Sequence, residues 1–175
     1  MTRVAVVSDS HGGRLHLERF VEFCKAEGID RVFHLGDIVD DAKWLEKRLE
    51  IPLTNVAGNC DFMAREAREA RETVEGKRFL LVHGDRYGVK YGYDKLSYYA
   101  EENHMDAALF GHTHRSFAGY VGEALLVNPG ALQSGSLCVM EVTAGDIVPR
   151  ILDIDQWYND HKQRRQTNDT PHRDV

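Results

Sequence analysis

The chain has 175 residues, 42% of them hydrophobic, which suits one globular domain with a core of its own. Its 22 Lys and Arg against 28 Asp and Glu leave a formal net charge of -6. That balance excludes a basic face for gripping a nucleic-acid backbone, but not a small phosphorylated substrate met by bound cations.

The opening run Arg3-Val4-Ala5-Val6-Val7 reads as a strand buried on both faces, halting at Ser8-Asp9-Ser10-His11-Gly12-Gly13. From Arg14 the period changes, and Leu15, Phe20, Phe23 and Cys24 mark an amphipathic helix stopped by Gly28. A second strand over Arg31 to Leu35 runs into Gly36-Asp37, and Asp41 to Leu49 is helical. A third strand, Leu53 to Ala57, ends at Gly58-Asn59-Cys60-Asp61. Alternating strands and helices predict a mostly parallel sheet covered by helices.

Arg71–Glu75 and Arg78–Val82 flank Gly76-Lys77 as a hairpin whose second strand ends at His83-Gly84-Asp85. Tyr93 to Asn103 reads as a helix, and Ala107–Phe110 as a strand entering Gly111-His112-Thr113-His114. The strand-like pieces Ser116–Val121, Ala124–Asn128, Ser136–Val142 and Val148–Ile154 follow. Consecutive strands in this half predict a second, antiparallel-rich sheet in the same domain. The expected organisation is one domain over residues 1–155 and a polar tail over 156–175. The tail is aperiodic from Asp160 and is read as flexible by default, with packing against the domain as the alternative.

Cys24, Cys60 and Cys138 form no CxxC pair, and no charged-then-apolar leader or long apolar run stands near the start. The expectation is a soluble, cytoplasmic protein with no disulfide framework and no membrane span.

Five segments share one design: a strand, then a glycine-bearing turn with a metal-competent side chain. They supply Asp9 and His11, Asp37, Asn59, His83, and the pair His112 and His114. In an open α/β sheet ligands bind beyond the carboxyl ends of strands, so the five turns can converge. Three oxygen donors and four imidazoles suit divalent Mn, Fe, Ni, Zn or Co, and exceed what one tetrahedral zinc needs. Seven donors fit two adjacent ions sharing a carboxylate. Any one of these residues alone would be an ordinary turn former; the five together point to a metal site.

With these blocks in order over residues 9–114, the chain resembles the calcineurin-like metallophosphoesterase superfamily, whose pattern is D-x-H, G-D, G-N, H-G and G-H-x-H. Its length and the Gly58-Asn59-Cys60-Asp61 form look like the small bacterial and archaeal phosphodiesterase branch. The resemblance implies a four-layer αββα sandwich of two mixed β-sheets flanked by helices. It implies one ion held by Asp9, His11 and His114, another by Asn59, His83 and His112, and Asp37 as the bridge. Manganese is the expected metal. The implied reaction is hydrolysis of a phosphate ester by a metal-bound hydroxide, on a diester first and a monoester as the alternative. The superfamily also contains the retromer subunit, a protein-interaction scaffold with an incomplete metal site, so a non-catalytic role is the competing class. A DNA-processing nuclease of the same superfamily is supported by neither the length nor the acidic balance. The expected partner is a small phosphorylated substrate, and a homo-oligomer is left open.

Three positions depart from the family pattern. Cys60 stands where many members carry the histidine that protonates the leaving alcohol. A free thiol has a reference pKa near 8.5, so Cys60 reads as a small packing residue in preference to a general acid. Asp85 stands where small relatives have histidine, and is either an orienting partner of His83 or a turn residue. Asn128-Pro129-Gly130 is followed by Ala131 and not Ser, which removes one hydroxyl near the site. Arg115 is a candidate phosphate contact or a solvent-facing arginine. Tyr87, Lys90, Tyr91 and Tyr93 either contact substrate or pack on the sheet. His16, His34, His104, His161 and His172 are read as non-ligands.

Overall fold

The computed structural model describes residues 1–168. Strand β1 (Thr2–Val7) explains its own composition. Val4 and Val6 face one buried cluster and Ala5 and Val7 another, so both sides of the strand are apolar. It pairs in parallel with β2 (Arg31–His34), which pairs in parallel with β3 (Leu53–Asn55).

The second sheet begins with the hairpin β4 (Glu69–Val74) and β5 (Lys77–Val82). Its turn is Glu75-Gly76, one residue earlier than the sequence suggests; both residues have positive φ, 51° and 81°, which matches the twist of a tight hairpin. The sheet continues through β6 (Ala107–Leu109), β7 (Phe117–Val121) and β8 (Ala124–Asn128), in the order β4-β5-β6-β8-β7. β5, β6 and β8 run parallel and the two edges antiparallel, so it is mixed and not antiparallel-rich.

The last two strands leave that sheet. β9 (Ser136–Val142) returns antiparallel to β1 and β10 (Ile147–Asp153) pairs antiparallel with β9, giving a first sheet ordered β10-β9-β1-β2-β3. Strand propensity reports a strand but not its partner, which is why the sequence cannot divide the late strands between sheets.

The sheets meet face to face over Val4, Val6, Phe33, Phe79, Leu81, Leu109 and Met140, all buried. The outer face of the first sheet is covered by α1 (Arg14–Ala26), α2 (Val39–Glu46) and α4 (Ile154–Asn168), through Phe20, Phe23, Leu45 and Ile154. α3 (Asp94–Glu102) covers the second through Leu96 and Ala100. The result is the expected αββα sandwich of two mixed five-stranded sheets. Each fully buried Phe or Leu contributes on the order of 1.5–3 kcal/mol.

Residues 156–168, read as part of the polar tail, belong to α4. Trp157 packs edge-on against Phe23 (centroids 5.0 Å apart) and donates to Glu27 Oε1 at 2.7 Å. Ile154 and the adjacent Trp157 and Tyr158, followed by polar residues only, make too short a stripe for periodicity to detect. The remainder of the tail, residues 169–175 with His172, lies outside the described residues. Among the described residues no helix is long and apolar enough to cross a membrane.

Candidate metal centre

All seven candidate ligands stand just beyond the carboxyl ends of β1, β2, β3, β5 and β6, the parallel strands of both sheets. The turns are joined within each sheet and, through His112 and Asp9, across the sandwich. Asp9 N–H donates to Gly36 O at 3.0 Å, Gly111 N–H to His83 O at 2.9 Å, and His112 N–H to Asp9 Oδ2 at 3.0 Å.

The backbone is strained where the candidate ligands sit. Among the described residues seven non-glycine positions have positive φ, and five of them are Asp9, His11, Asp37, His112 and His114. Such angles cost of order 1–3 kcal/mol each away from glycine, and they gather at functional sites. At Gly58 and Gly111, both at negative φ, close approach governs. A Cβ on Gly58 would lie 2.6 Å from Asp37 N and nearer still to Asp37 Oδ1. One on Gly111 would lie 2.7 Å from Asp9 Oδ2 and 2.8 Å from Ser8 Cβ. These glycines exist so that the carboxylates can occupy that space.

His114 Nε2 lies 3.2 Å and His11 Nε2 3.8 Å from Asp9 Oδ1, so Asp9, His11 and His114 form one set. His83 Nε2 lies 2.9 Å from Asn59 Oδ1 and 3.2 Å from His112 Nδ1, forming a second. Asp37 Oδ2 is between them, 3.7 Å from His11 Nε2 and 3.3 Å from His83 Nε2. His83 Nδ1 donates to Leu35 O at 2.8 Å, which leaves Nε2 facing the cage, where a proton or a cation would sit between it and Asp37.

The electrostatics ask for a cation. Burial pushes the Asp37 carboxyl up, but hydrogen bonds from His83 and the Cys60 N–H outweigh it and hold Asp37 below the usual carboxylate range. Burial pushes His83 down, yet Asp37 and Asp9 raise it above an ordinary histidine. Burial and then His83 lower His112. Asp9 Oδ1 and His11 Nε2 are buried with no hydrogen-bond partner among the described residues. Unpartnered buried acceptors are costly, and a divalent cation is the partner that suits a carboxylate and an imidazole together. The donor set therefore fits the metal ions expected of it.

The other candidates divide. Cys60 is exposed, its N–H donates to Asp37 Oδ1 at 3.0 Å, and its Sγ lies within 4.8 Å of ligand atoms of His11 and Asp37. Burial and then Asp37 raise its thiol pKa, so it stays protonated at neutral pH. Arg115 is exposed beside His114, and its guanidinium has no partner among the described residues. Asp85 does not touch His83; it faces Arg68 Nη1 at 3.7 Å, and Arg68 donates to Gly58 O at 3.0 Å. Tyr93 packs on Phe110 and Phe117, and Tyr87 packs on Tyr99, so both serve the sheet. Tyr91 and Lys90 are exposed. His16 meets Asp155 at 3.1 Å, His104 follows α3 at φ 55°, and His161 stacks on Trp157.

Two supporting residues escaped the sequence reading. The Asp61 carboxylate accepts from Gly58 N–H at 2.8 Å, Val39 N–H at 2.8 Å and Asp37 N–H at 3.2 Å, clamping the G-D and G-N turns together. Asn128, fully buried, donates to Gly111 O and Thr113 Oγ1, each at 3.0 Å, and so holds the G-H-x-H turn. The signal for Asp61 was an acid two residues past the candidate ligand Asn59, a spacing that turn chemistry alone also produces.

An αββα sandwich with Asp, Asn and His side chains converging at its strand ends is the architecture of a metallophosphoesterase domain. The chain belongs to the calcineurin-like phosphoesterase superfamily, whose domain model matches residues 2–145. It is 32% identical over 130 residues to the probable metallophosphoesterase YsnB of Bacillus subtilis, covering 74% of this chain and 75% of that one. It is 27% identical to the phosphodiesterase YfcE of Escherichia coli strain K12, over 75% of this chain and 80% of that one. A crystal structure of a conserved Streptococcus pneumoniae protein, described as a phosphoesterase by prediction, superposes with a TM-score of 0.72 at 25% identity. That superposition covers 88% of this chain and 90% of the other.

Proposed function

We propose that this chain is a phosphodiesterase dependent on two divalent ions, acting on a small phosphorylated ester. In this reading Asp9, His11 and His114 hold one ion, Asn59, His83 and His112 the other, and Asp37 serves both. The observation that carries it is the position of Asp37 Oδ2, 3.7 Å from His11 Nε2 and 3.3 Å from His83 Nε2, facing both sets at once. Manganese is the proposed occupant, with Fe, Ni, Zn or Co suited to the same donors.

When bound, the ions supply an activated water at neutral pH and neutralise charge on the phosphoryl oxygens. The chain's own residues do the rest. Leu35 O fixes the His83 tautomer, and the Cys60 N–H and the Asp61 clamp fix Asp37. Arg115, exposed beside His114, is the proposed phosphate contact. Cys60 keeps its proton and is a poor acid, so esters with good leaving groups are favoured. The diester preference is supported by the likeness to YfcE.

The test loads the protein with Mn²⁺ and assays an aryl phosphodiester and an aryl phosphomonoester beside His114→Ala and Asp37→Asn. Metal-dependent turnover of the diester, lost by at least a hundredfold in both variants, is the expected result. No turnover by the wild type, or full turnover by both variants, sinks the proposal and leaves the scaffold class.

A further inference from the structure

Beside the cage lies a cavity of about 530 Å³, a size typical of small-molecule sites. Its lining includes Ile38, Lys43, Cys60, Phe62, Met63 and Arg65. Cys60 ties it to the cage, since the Cys60 N–H donates to Asp37 Oδ1 at 3.0 Å. Phe62 and Met63 are 86% and 94% exposed, a neighbouring apolar pair that the core does not use. They are nonetheless anchored on both sides. The Asp61 carboxylate is fixed by three backbone amides, Asp61 N–H donates to Gly58 O at 3.1 Å, and Ala64 N–H to Asp61 O at 3.2 Å. A pair of large apolar residues held out to water at the edge of a reactive site is suited to a ligand and costs solubility otherwise.

The charges narrow the ligand. Lys43 is paired with Glu66 at 2.9 Å, while Arg65 is exposed with no ion pair among the described residues. The lining also carries Asp40, whose side chain is 88% exposed, Asp61, whose carboxylate is taken by three backbone amides, and Glu66, which Lys43 pairs. Beside these the cavity offers a phenyl ring, a thioether and the Arg65 guanidinium. All three favour the face of a planar aromatic group.

We infer that this cavity is the subsite for an aromatic substituent of the phosphodiester, an aryl or nucleobase-bearing group lying against Phe62 and Met63. The inference rests on the phosphodiesterase reading for its substrate class, and its test separates the two.

The experiment compares the Mn²⁺-loaded wild type with Phe62→Ser/Met63→Ser on bis(p-nitrophenyl) phosphate, thymidine 5′-(p-nitrophenyl phosphate) and methyl p-nitrophenyl phosphate. KM for the first two is expected to rise at least tenfold with kcat within threefold. A rise for these two but not for the methyl ester places the retained group in the cavity; an equal rise for all three places the leaving group there. The conservative Phe62→Tyr/Met63→Leu should restore KM to within threefold, which a merely structural defect at the loop would not allow. A second measurement needs no turnover: thymidine 5′-monophosphate is titrated while the ¹³C-methyl resonance of Met63 is followed. A shift of that signal in a protein that hydrolyses nothing upholds the subsite and sinks the hydrolase reading. Turnover with KM unchanged in the serine variant and a Met63 signal that does not move overturns the subsite alone.

Discussion

The carboxylate of Asp61 accepts the backbone N–H of Asp37 at 3.2 Å, and with the same two oxygens it holds Gly58 and Val39. One acid thus sets the distance between the turn that carries Asp37 and the turn that carries Asn59. Asp61→Ala leaves three amides without their partner, which costs about 1–3 kcal/mol in stability. It also loosens two ligands, and the loss of such a support lowers metal affinity or activity roughly 10–100-fold. Urea unfolding and a Mn²⁺ titration of the variant measure the two effects separately. Asp61→Asn, which keeps one acceptor oxygen, should fall between the two.

Gly58→Ala and Gly111→Ala test whether close approach governs those turns. Each methyl would enter space held by a carboxylate, Asp37 beside Gly58 and Asp9 beside Gly111. Both variants should fold, because the strands before the turns are untouched, and both should lose at least a hundredfold in activity. Mn²⁺ should raise the melting temperature of the wild type, since a ligand that binds the native state stabilises it, and should leave that of either variant unmoved. A variant still stabilised by Mn²⁺ to the wild-type extent would show that the cage tolerates the methyl.

Much of this was legible because one design recurs. Asp9, Asp37, Asn59, His83 and His112 each follow a strand and a turn, and five repetitions outweigh the ordinary turn reading of any one. The sandwich was legible from the resemblance, and the parallel half from β1, whose successive apolar residues face different layers. What the sequence withheld was pairing and long reach. β9 joins β1 across more than 130 residues, and nothing in Ser136–Val142 names that partner. Asp85 was open between a partner for His83 and a turn residue; it starts the turn after Gly84, and Leu35 O holds the His83 ring from the other sheet. A backbone carbonyl has no sequence signature.

His34 supplies a pH dependence. It is fully buried, accepts from Gly36 N–H through Nδ1 at 3.3 Å, and through Nε2 meets Ser10 Oγ at 3.0 Å. Burial lowers its pKa from 6.5 to about 4, against the opposing pull of Asp41 and Asp9. The unfolded chain therefore binds a proton between pH 6.5 and 4 that the folded chain refuses. Stability from this group is complete above pH 6.5 and declines as pH falls toward 4, by about 3 kcal/mol. Chemical denaturation at a series of pH values reads the slope, and His34→Gln should flatten it in that window.

The thiols should react unequally. Cys60 is exposed, whereas Cys24 and Cys138 are buried, and burial pushes the Cys138 thiol up to about 12. An aromatic disulfide reagent should titrate one thiol in the native protein and three after unfolding. Cys60→Ala should keep activity on an aryl ester within several-fold, because a protonated thiol contributes little to a leaving group that needs no acid. A loss of a hundredfold or more, the scale of a general acid, would make Cys60 catalytic.

The C-terminal helix is a stability element that stands apart from the chemistry. Trp157 lies edge-on to Phe23 and bonds Glu27 at 2.7 Å, while Asp155 at the start of α4 meets His16 at 3.1 Å and Arg19 at 2.5 Å, both on α1. Burial would raise the Asp155 carboxyl, but His16 and Arg19 outweigh it and hold it low. Asp155 is half exposed, so that pair is screened by salt and contributes little. The aromatic contact carries the attachment, and Trp157→Ala should cost about 2 kcal/mol, less than a fully buried aromatic because the ring is half covered. None of these residues touches the cage, so kcat and KM at 25 °C should stay within twofold while the urea midpoint falls. A variant that keeps its midpoint would mean that α4 rests on α1 without stabilising it. One that loses activity at full stability would connect the helix to the site through α1, whose first turn lies beside Gln133 and Gly13.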